Sequence, residues 1–303
     1  MKKLYALSML VVAAMLMLTA CGPAATAEPA DLLAEIKQRG YILISTDPNY
    51  EPQSFLNTEG SRPADTKCPG DVLTPAEMQG FDVDVAKKIG DGLGVETCFA
   101  TPDWDMITGG NWADKWDISV GSMTITTERL KVLDFTTPYY YTPAVVAAAA
   151  DAGIASLEDL AGKAVCAGTS TTYESWLNND MEALGLPESS IYAHAPEGIT
   201  VVPLGTDQDC AQSIGAGRTD FLAYVTSETV VDSNIANGLA VVKVGTPVYS
   251  EDLAVSVDKN HTLPIDTLMV ELNKIVQGLH DDGTLSQLST QWFGADLTQS
   301  PTK

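Results

Sequence analysis

The stretch Trp116-Asp-Ile-Ser-Val-Gly-Ser-Met-Thr-Ile-Thr-Thr-Glu-Arg129-Leu-Lys-Val-Leu-Asp-Phe-Thr-Thr-Pro-Tyr-Tyr-Tyr141 decides how the chain is read. Ile118 to Gly121 is a short apolar run suited to a buried strand, and small hydroxyl residues follow from Ser122 to Thr126. Thr126 stands where it can N-cap a helix that begins at Arg129. Exposed backbone N–H groups, several hydroxyls and one guanidinium then converge at a helix start, an arrangement that binds anions. A carboxylate there would take a bidentate, charge-assisted pair from Arg129. The same residues also satisfy a plainer reading: a capped surface helix with a solvated Arg whose ion pairs contribute little.

Outward from this stretch the chain alternates helical and strand patterns, which predicts an α/β fold. Ala30 to Arg39 has helical apolar spacing and stops at Gly40, before a buried strand at Tyr41 to Ser45. Gly80 to Gly94 is a helix with Phe81, Val85 and Ile89 on one face, followed by a strand over Val95 to Ala100. The early carboxylates of that helix, Asp82 and Asp84, read as partners of its N-terminal dipole. Beyond Pro138 and Pro143, the apolar run Ala144 to Ala150 reads as a strand, and Ser156 caps a short helix. Next come a strand at Lys163 to Ala167 and a helix at Tyr173 to Leu184, with Thr171 and Glu174 at capping-box spacing. A strand at Thr200 to Leu204, a helix at Thr206 to Gly217 and strands at Ala240 to Val244 and Glu251 to Val257 follow. His261 to Asp282 and Leu285 to Phe293 read as closing helices.

Forty acidic against 17 basic residues give a formal charge of −23. The acid is spread along the chain, which describes a solvated acidic surface and opposes nucleic acid as a partner. Metal is disfavoured, because no Cys-x-x-Cys occurs and His194, His261 and His280 are far apart in sequence. The chain has no Gly-x-Ser-x-Gly elbow and no phosphate loop, and no catalytic residues are assigned.

Gly121-Ser-Met-Thr-Ile-Thr-Thr-Glu-Arg129, followed by Asp134-Phe-Thr-Thr-Pro-Tyr-Tyr140, resembles the signature of the polar amino-acid branch of ABC-transporter solute-binding proteins. Gly80-Phe-Asp-Val-Asp84 and the Gly168-Thr-Ser-Thr171 turn resemble further blocks of that family. The resemblance implies a two-lobed fold of the periplasmic-binding-protein type II, with two hinge crossings, no cofactor and a single-copy protein. It implies capture of an amino acid or related small carboxylate in the cleft and handover to a membrane permease. Lobe one would comprise residues 30–142 and 248–303, and lobe two residues 143–247. By the same resemblance, Arg129 with Gly121, Ser122 and Thr124 holds the ligand carboxylate, and Thr169, Ser170 and Thr171 reach it from the opposite lobe. Asp47 and Tyr50, three residues apart, sit at the cleft, and Trp104 is the second cleft aromatic, so that Tyr50 and Trp104 could sandwich a side chain.

The N-terminus agrees with an exported protein. Met1-Lys2-Lys3 and the nearly uncharged run from Leu4 to Leu18 form a targeting segment, and Leu18-Thr19-Ala20-Cys21 matches the lipobox of bacterial lipoproteins. Residues 1–20 would then be a signal peptide, Cys21 a lipid anchor in the cell envelope, and residues 21–29 a Pro/Ala-rich tether. A plain signal peptide and a membrane span are the alternatives. The four remaining cysteines allow three pairings. Cys68 with Cys98 and Cys166 with Cys210 is the pairing that keeps each bridge inside one lobe and leaves the lobes free to move.

Two departures stand out. Asn57 to Gln79 is a Pro- and Gly-rich insert longer than most connections in compact domains. Five residues beyond Asp220, where the family places an Asp that pairs with the ligand ammonium, this chain has Val225. Either Thr226 or Glu228 substitutes, or Asp47 does, or the ligand lacks that ammonium. The rival class is an exported enzyme on the same fold, dehydratase-like, which would need an acid and a base in the cleft.

Overall fold

The computed structural model describes residues 28–300, and the following account concerns residues 31–300. The expected signal peptide of residues 1–20, the expected lipidation site Cys21 and residues 21–27 of the expected tether lie outside the described residues. Helix α1 (Leu32–Arg39) is capped by Asp31, whose side chain accepts from Ala34 N at 2.8 Å, and ends at Gly40 in the left-handed conformation. Strand β1 (Tyr41–Ser45) leads into a small antiparallel sheet of β2 (Asn49–Tyr50), β3 (Ser54–Leu56) and β4 (Met78–Gln79). Helix α2 (Phe81–Leu93), β5 (Glu96–Ala100), the short α3 (Trp104–Thr108), β6 (Ile118–Thr124) and β7 (Leu133–Phe135) complete the first lobe's N-terminal part.

Strand β8 (Tyr140–Ala149) carries the chain into the second lobe. There β9 (Ala164–Gly168), α4 (Thr172–Leu177), α5 (Met181–Leu184), β10 (Thr200–Leu204), α6 (Asp207–Gly215), β11 (Ala223–Ser227) and α7 (Glu228–Ala236) follow in order. The return is a single strand, β12 (Val241–Asp258), before α8 (Asp266–Asp281) and α9 (Thr284–Phe293).

One continuous sheet runs through both lobes in the order β10-β9-β11-β8-β12-β6-β1-β5, with β7 also paired to β12. Its outer parts, β10-β9-β11 and β6-β1-β5, are parallel, whereas β8 and β12 cross its centre antiparallel. The first-lobe core packs Ile42, Ile44, Phe81, Val85 and Ile89 against Leu268, Leu272 and Val276 of α8. Apolar clusters on the two faces of β8, β9 and β11 form the second-lobe core, Val146, Val165 and Trp176 in one and Ala147, Phe221 and Tyr224 in the other.

The two expected strands at Ala240 to Val244 and Glu251 to Val257 are one strand whose register against β8 shifts between Val244 and Tyr249. Gly245, at φ +66°, interrupts the apolar pattern there, which is why the sequence reads as two pieces. The expected helix from Tyr173 to Leu184 is likewise two helices, because Asn179 turns left-handed (φ +53°) and Asp180 caps a new start. Both expected disulfides form, Cys68–Cys98 and Cys166–Cys210. The first ties the insert to β5, and Leu73 bridges Phe99 beside it. Arg62 spans the insert internally, donating to the carbonyls of Cys68, Pro69 and Val72.

Candidate functional site

The central signature begins at an anchor. Asp117 accepts from Leu43 N at 2.7 Å and pairs with Arg39, which fixes the start of β6 against α1 and β1. Strand β6 then continues through Thr124, farther than the apolar run alone indicates, and all seven of its residues are buried. Thr126 Oγ1 accepts from Arg129 N at 3.1 Å, so the expected cap is present. The element that it starts is a single 3₁₀ turn, Arg129–Lys131, instead of a full helix.

Arg129 is buried, which rules out the solvated-surface reading. Its Nη1 donates to Thr124 O at 2.9 Å and its Nη2 to Ser170 O, on the opposite lobe, at 3.4 Å. The face of Trp104 lies 5.6 Å from the guanidinium carbon. Burial lowers the guanidinium pKa to about 10 against the opposing pull of Glu251, so the group stays charged at neutral pH.

A cavity of about 40 Å³ lies between the lobes beside Arg129. At roughly 10–15 Å³ per water it has room for a few water molecules. Asp47, Tyr50, Trp104, Gly121, Ser122, Thr124, Arg129 and Thr171 line it. Thr169 and Ser170 do not line it. The hydroxyl of Thr169 is turned onto the end of β10, donating to Leu204 O at 2.9 Å, and Ser170 faces a wider hollow that meets the cavity at Arg129. Thr171 accepts from Glu174 N at 3.2 Å as the N-cap of α4, and Glu174 reaches back to Ser170 N at 2.7 Å. None of residues 57–79 lines the cavity.

Sequence reasoning missed two acids that face the same space. Asp207 begins α6 after the cap Thr206 and is buried. Its Oδ1 accepts from Gly168 N at 2.7 Å and its Oδ2 from Thr226 Oγ1 at 3.2 Å. A Cβ on Gly168 would lie 2.6 Å from that Oδ1, so the close approach depends on glycine there. Burial lifts the carboxyl pKa of Asp207 to about 8. Glu251 lies on the crossing strand β12 and accepts from Thr124 Oγ1 (2.7 Å), Thr172 Oγ1 (3.1 Å) and Tyr173 OH (2.9 Å). One of these hydroxyls comes from lobe one and two from lobe two. Its carboxyl is also raised by burial, which those hydrogen bonds and Arg129 oppose. Asp47, with Asn49 N at 2.7 Å, is raised to about 6 by burial.

Val225 does not face the cavity. It is packed in the second-lobe core, and the neighbouring Thr226 turns toward α6. Glu228 lies away from the site with Lys243, at 2.8 Å. The acidic side of the cavity is therefore built from Asp47, Asp207 and Glu251. A signal for the first of the missed acids exists, an acid directly after a capping Thr that follows a strand, whereas Glu251 stands beside Asp252 in Ser250-Glu251-Asp252 and nothing local tells the buried acid from the exposed one.

The lobes touch at the cavity and beyond it. Tyr50 and Tyr173, which line it, share a hydroxyl contact of 3.2 Å; outside it Gln53 Nε2 donates to Thr229 Oγ1 at 2.6 Å and Asn237 Nδ2 donates to Glu51 Oε1 at 2.9 Å. This is a closed arrangement. Among the described residues no helix is long and apolar enough to cross a membrane, and no cluster of His, Cys, Asp and Glu is suited to a metal ion.

Comparison with known proteins agrees with the two-lobed fold. The L-cystine-binding protein of Escherichia coli (strain K12) is 27% identical over 270 residues, which cover 88% of each chain. Among solved structures, a mutant of ArgBP from T. maritima superposes with a TM-score of 0.67 at 26% identity, covering 86% of this chain and 99% of its own. The ancestral amino acid-binding protein AncCDT-1, described as a precursor of cyclohexadienyl dehydratase, gives 0.67 at 28% identity, covering 86% and 99%. Residues 42–295 match one family along their whole extent, and the chain belongs to it: the bacterial extracellular solute-binding proteins, family 3.

Proposed function

We propose that this protein binds an α-amino acid in the cleft between its lobes and delivers it to an ABC importer. The observation that carries the ligand reading is the polarity of the cavity. A buried guanidinium with donors to spare and the buried carboxyls of Asp47, Asp207 and Glu251 line the same space, Glu251 near enough to Arg129 to oppose the fall in its pKa. A zwitterion fits that field with its carboxylate on Arg129 and its ammonium toward Asp207 and Glu251. Tyr50 and Trp104 line the same space and are assigned the side chain, with Asp47 close to it. In a dry cleft these pairings are far stronger than in water, and those that require both lobes favour closure. A cavity of this size admits an amino acid only when the lobes part, and we assign that motion to β8 and β12, near residues 142–143 and 247–248. The second crossing lies within the register break of β12. The protein acts as a monomer, without cofactor or catalysis, anchored outside the cytoplasm through a lipid on Cys21.

Calorimetry of the purified protein against the twenty standard amino acids, L-cystine and organic acids lacking the ammonium tests the ligand class. Binding of an amino acid, with its desamino analogue at least tenfold weaker, supports the reading, and preference for the desamino acids refutes it. Loss of membrane association in Cys21→Ala cells tests the anchor. One observation favours a second reading. A buried carboxyl raised to about 8, as in Asp207, suits a general acid, and the ancestral relative is named as a precursor of a dehydratase. Recovery of the bound ligand chemically unchanged after prolonged incubation would rule against it.

A further inference from the structure

Asp82 does not play the dipole role that its position in the first turn of α2 implies. It is fully buried, and both carboxylate oxygens are spent on the cavity wall instead of the helix start. Ser122 Oγ donates to Asp82 Oδ2 at 2.7 Å, and Tyr139 OH donates to Asp82 Oδ1 at 2.8 Å. Tyr139 OH in turn accepts from Ser122 N at 3.0 Å. Tyr140 OH lies 2.6 Å from Ser122 Oγ. With the serine proton committed to the carboxylate, Tyr140 is the donor in that contact.

The group held in this way is unusual. Ser122 has φ +52°, the left-handed region in which a side chain is strained. The pairing of β6 with β12 loses register between Ala254 and Ser256, and neither Gly121 nor Ser122 has a partner residue on β12. Both residues line the cavity. Its N–H and hydroxyl are therefore already used by the Asp82, Tyr139 and Tyr140 cluster, and the backbone bulge itself forms the wall.

We propose that Asp82 is a positioning residue for ligand binding: it touches no ligand, and it sets affinity by holding Ser122 in the left-handed conformation that shapes the Gly121–Ser122 wall. This inference rests on the ligand reading of the same cavity. A carboxylate suits the task because it accepts two hydrogen bonds at once. Asparagine in its place keeps an acceptor for Tyr139 and loses the one for Ser122.

The test is a double-mutant cycle of Asp82→Asn and Ser122→Gly, read by calorimetry with the twenty amino acids and L-cystine as probes, and by urea unfolding without ligand. Glycine adopts the left-handed conformation freely, so Ser122→Gly is expected to lose less affinity than Asp82→Asn. Asp82→Asn is expected to weaken binding at least tenfold, but no more than threefold in the Ser122→Gly background. Equal losses in both backgrounds would mark a general structural effect and overturn the proposal, as would unchanged affinity in Asp82→Asn. A loss in Ser122→Gly as large as that in Asp82→Asn would show that the hydroxyl itself meets the ligand, and would also overturn it. If the wild type binds none of the probes, the ligand reading fails. The unfolding arm then decides the Asp82 claim, which stands on non-additive stabilities and falls on additive ones.

Discussion

The cavity is flanked by two turns of similar sequence grammar, one from each lobe: Gly121-Ser-Met-Thr and Gly168-Thr-Ser-Thr. The first forms the end of β6 and the second leaves the end of β9; each is rich in hydroxyls and contains a serine in the left-handed region, Ser122 at φ +52° and Ser170 at φ +61°. Their chemistry differs because their burial differs. The first turn is enclosed, so its polar groups must find protein partners, and they do so in Asp82, Tyr139, Glu251 and Arg129. The second is exposed at Thr169 and Ser170, and its threonine hydroxyls are spent on backbone carbonyls, Thr171 on Gly168 O at 2.6 Å and Thr169 on Leu204 O of β10. It meets the cavity's acids only at its ends, through Gly168 N on Asp207 and the following Thr172 on Glu251. Similar motifs thus yield a charged, rigid wall on one side and a self-satisfied helix cap on the other.

The largest effect that could break this asymmetry is at Arg129. Arg129→Ala removes the guanidinium of the cavity and leaves Glu251 facing no opposite charge. A cost of about 3–5 kcal/mol is expected, a loss of affinity of roughly two to nearly four orders of magnitude in a titration of any carboxylate ligand. Asp207→Asn should weaken ligands that carry an α-ammonium by about ten- to a hundredfold, the scale of a hydrogen bond to a charged group, and spare desamino acids. A uniform loss across both classes would show that Asp207 only braces Gly168.

A pH series sharpens the comparison further. Burial raises Asp47 and Asp82 to about 6 and Asp207 to about 8. The folded protein therefore retains protons that the unfolded chain has released above pH 4. The stability linked to them is present at low pH and is lost as pH rises through 6 to 8. The melting temperature of the ligand-free protein should fall over that window. A bound ammonium favours the ionised acids, so affinity should rise over the same range, with proton release visible as buffer-dependent binding heat. The smallest effects belong to the second turn. Thr171→Ala should cost about 0.5–2 kcal/mol of stability in urea unfolding as a lost cap, and Thr169→Ala should change ligand affinity less than twofold.

Much of the fold was legible because local pattern and burial agree. β1, α2 and β9 were recognisable from apolar period and glycine stops, and the cysteine pairing from the way it leaves each lobe independent. The site was legible where short motifs mark its residues, as at Asp47, Tyr50, Trp104, Arg129 and Thr171, although these are scattered along the chain. Asp207 and Glu251 escaped because no such motif marks them, and only the folding of α6 and β12 brings them to Arg129. Asp82 was visible but misread, since a carboxylate in a first helical turn usually serves the helix, and nothing local shows that Ser122 and Tyr139 lie against it.

The two disulfides have a consequence for biogenesis. Each joins neighbours in cysteine order, Cys68 to Cys98 and Cys166 to Cys210, and the first loop is complete 68 residues before Cys166. In a chain that enters an oxidising compartment N-terminus first, Cys68 and Cys166 each meet their native partner as the next thiol to arrive. Vectorial oxidation then yields the native pairing directly, with little call for thiol–disulfide reshuffling by an isomerase.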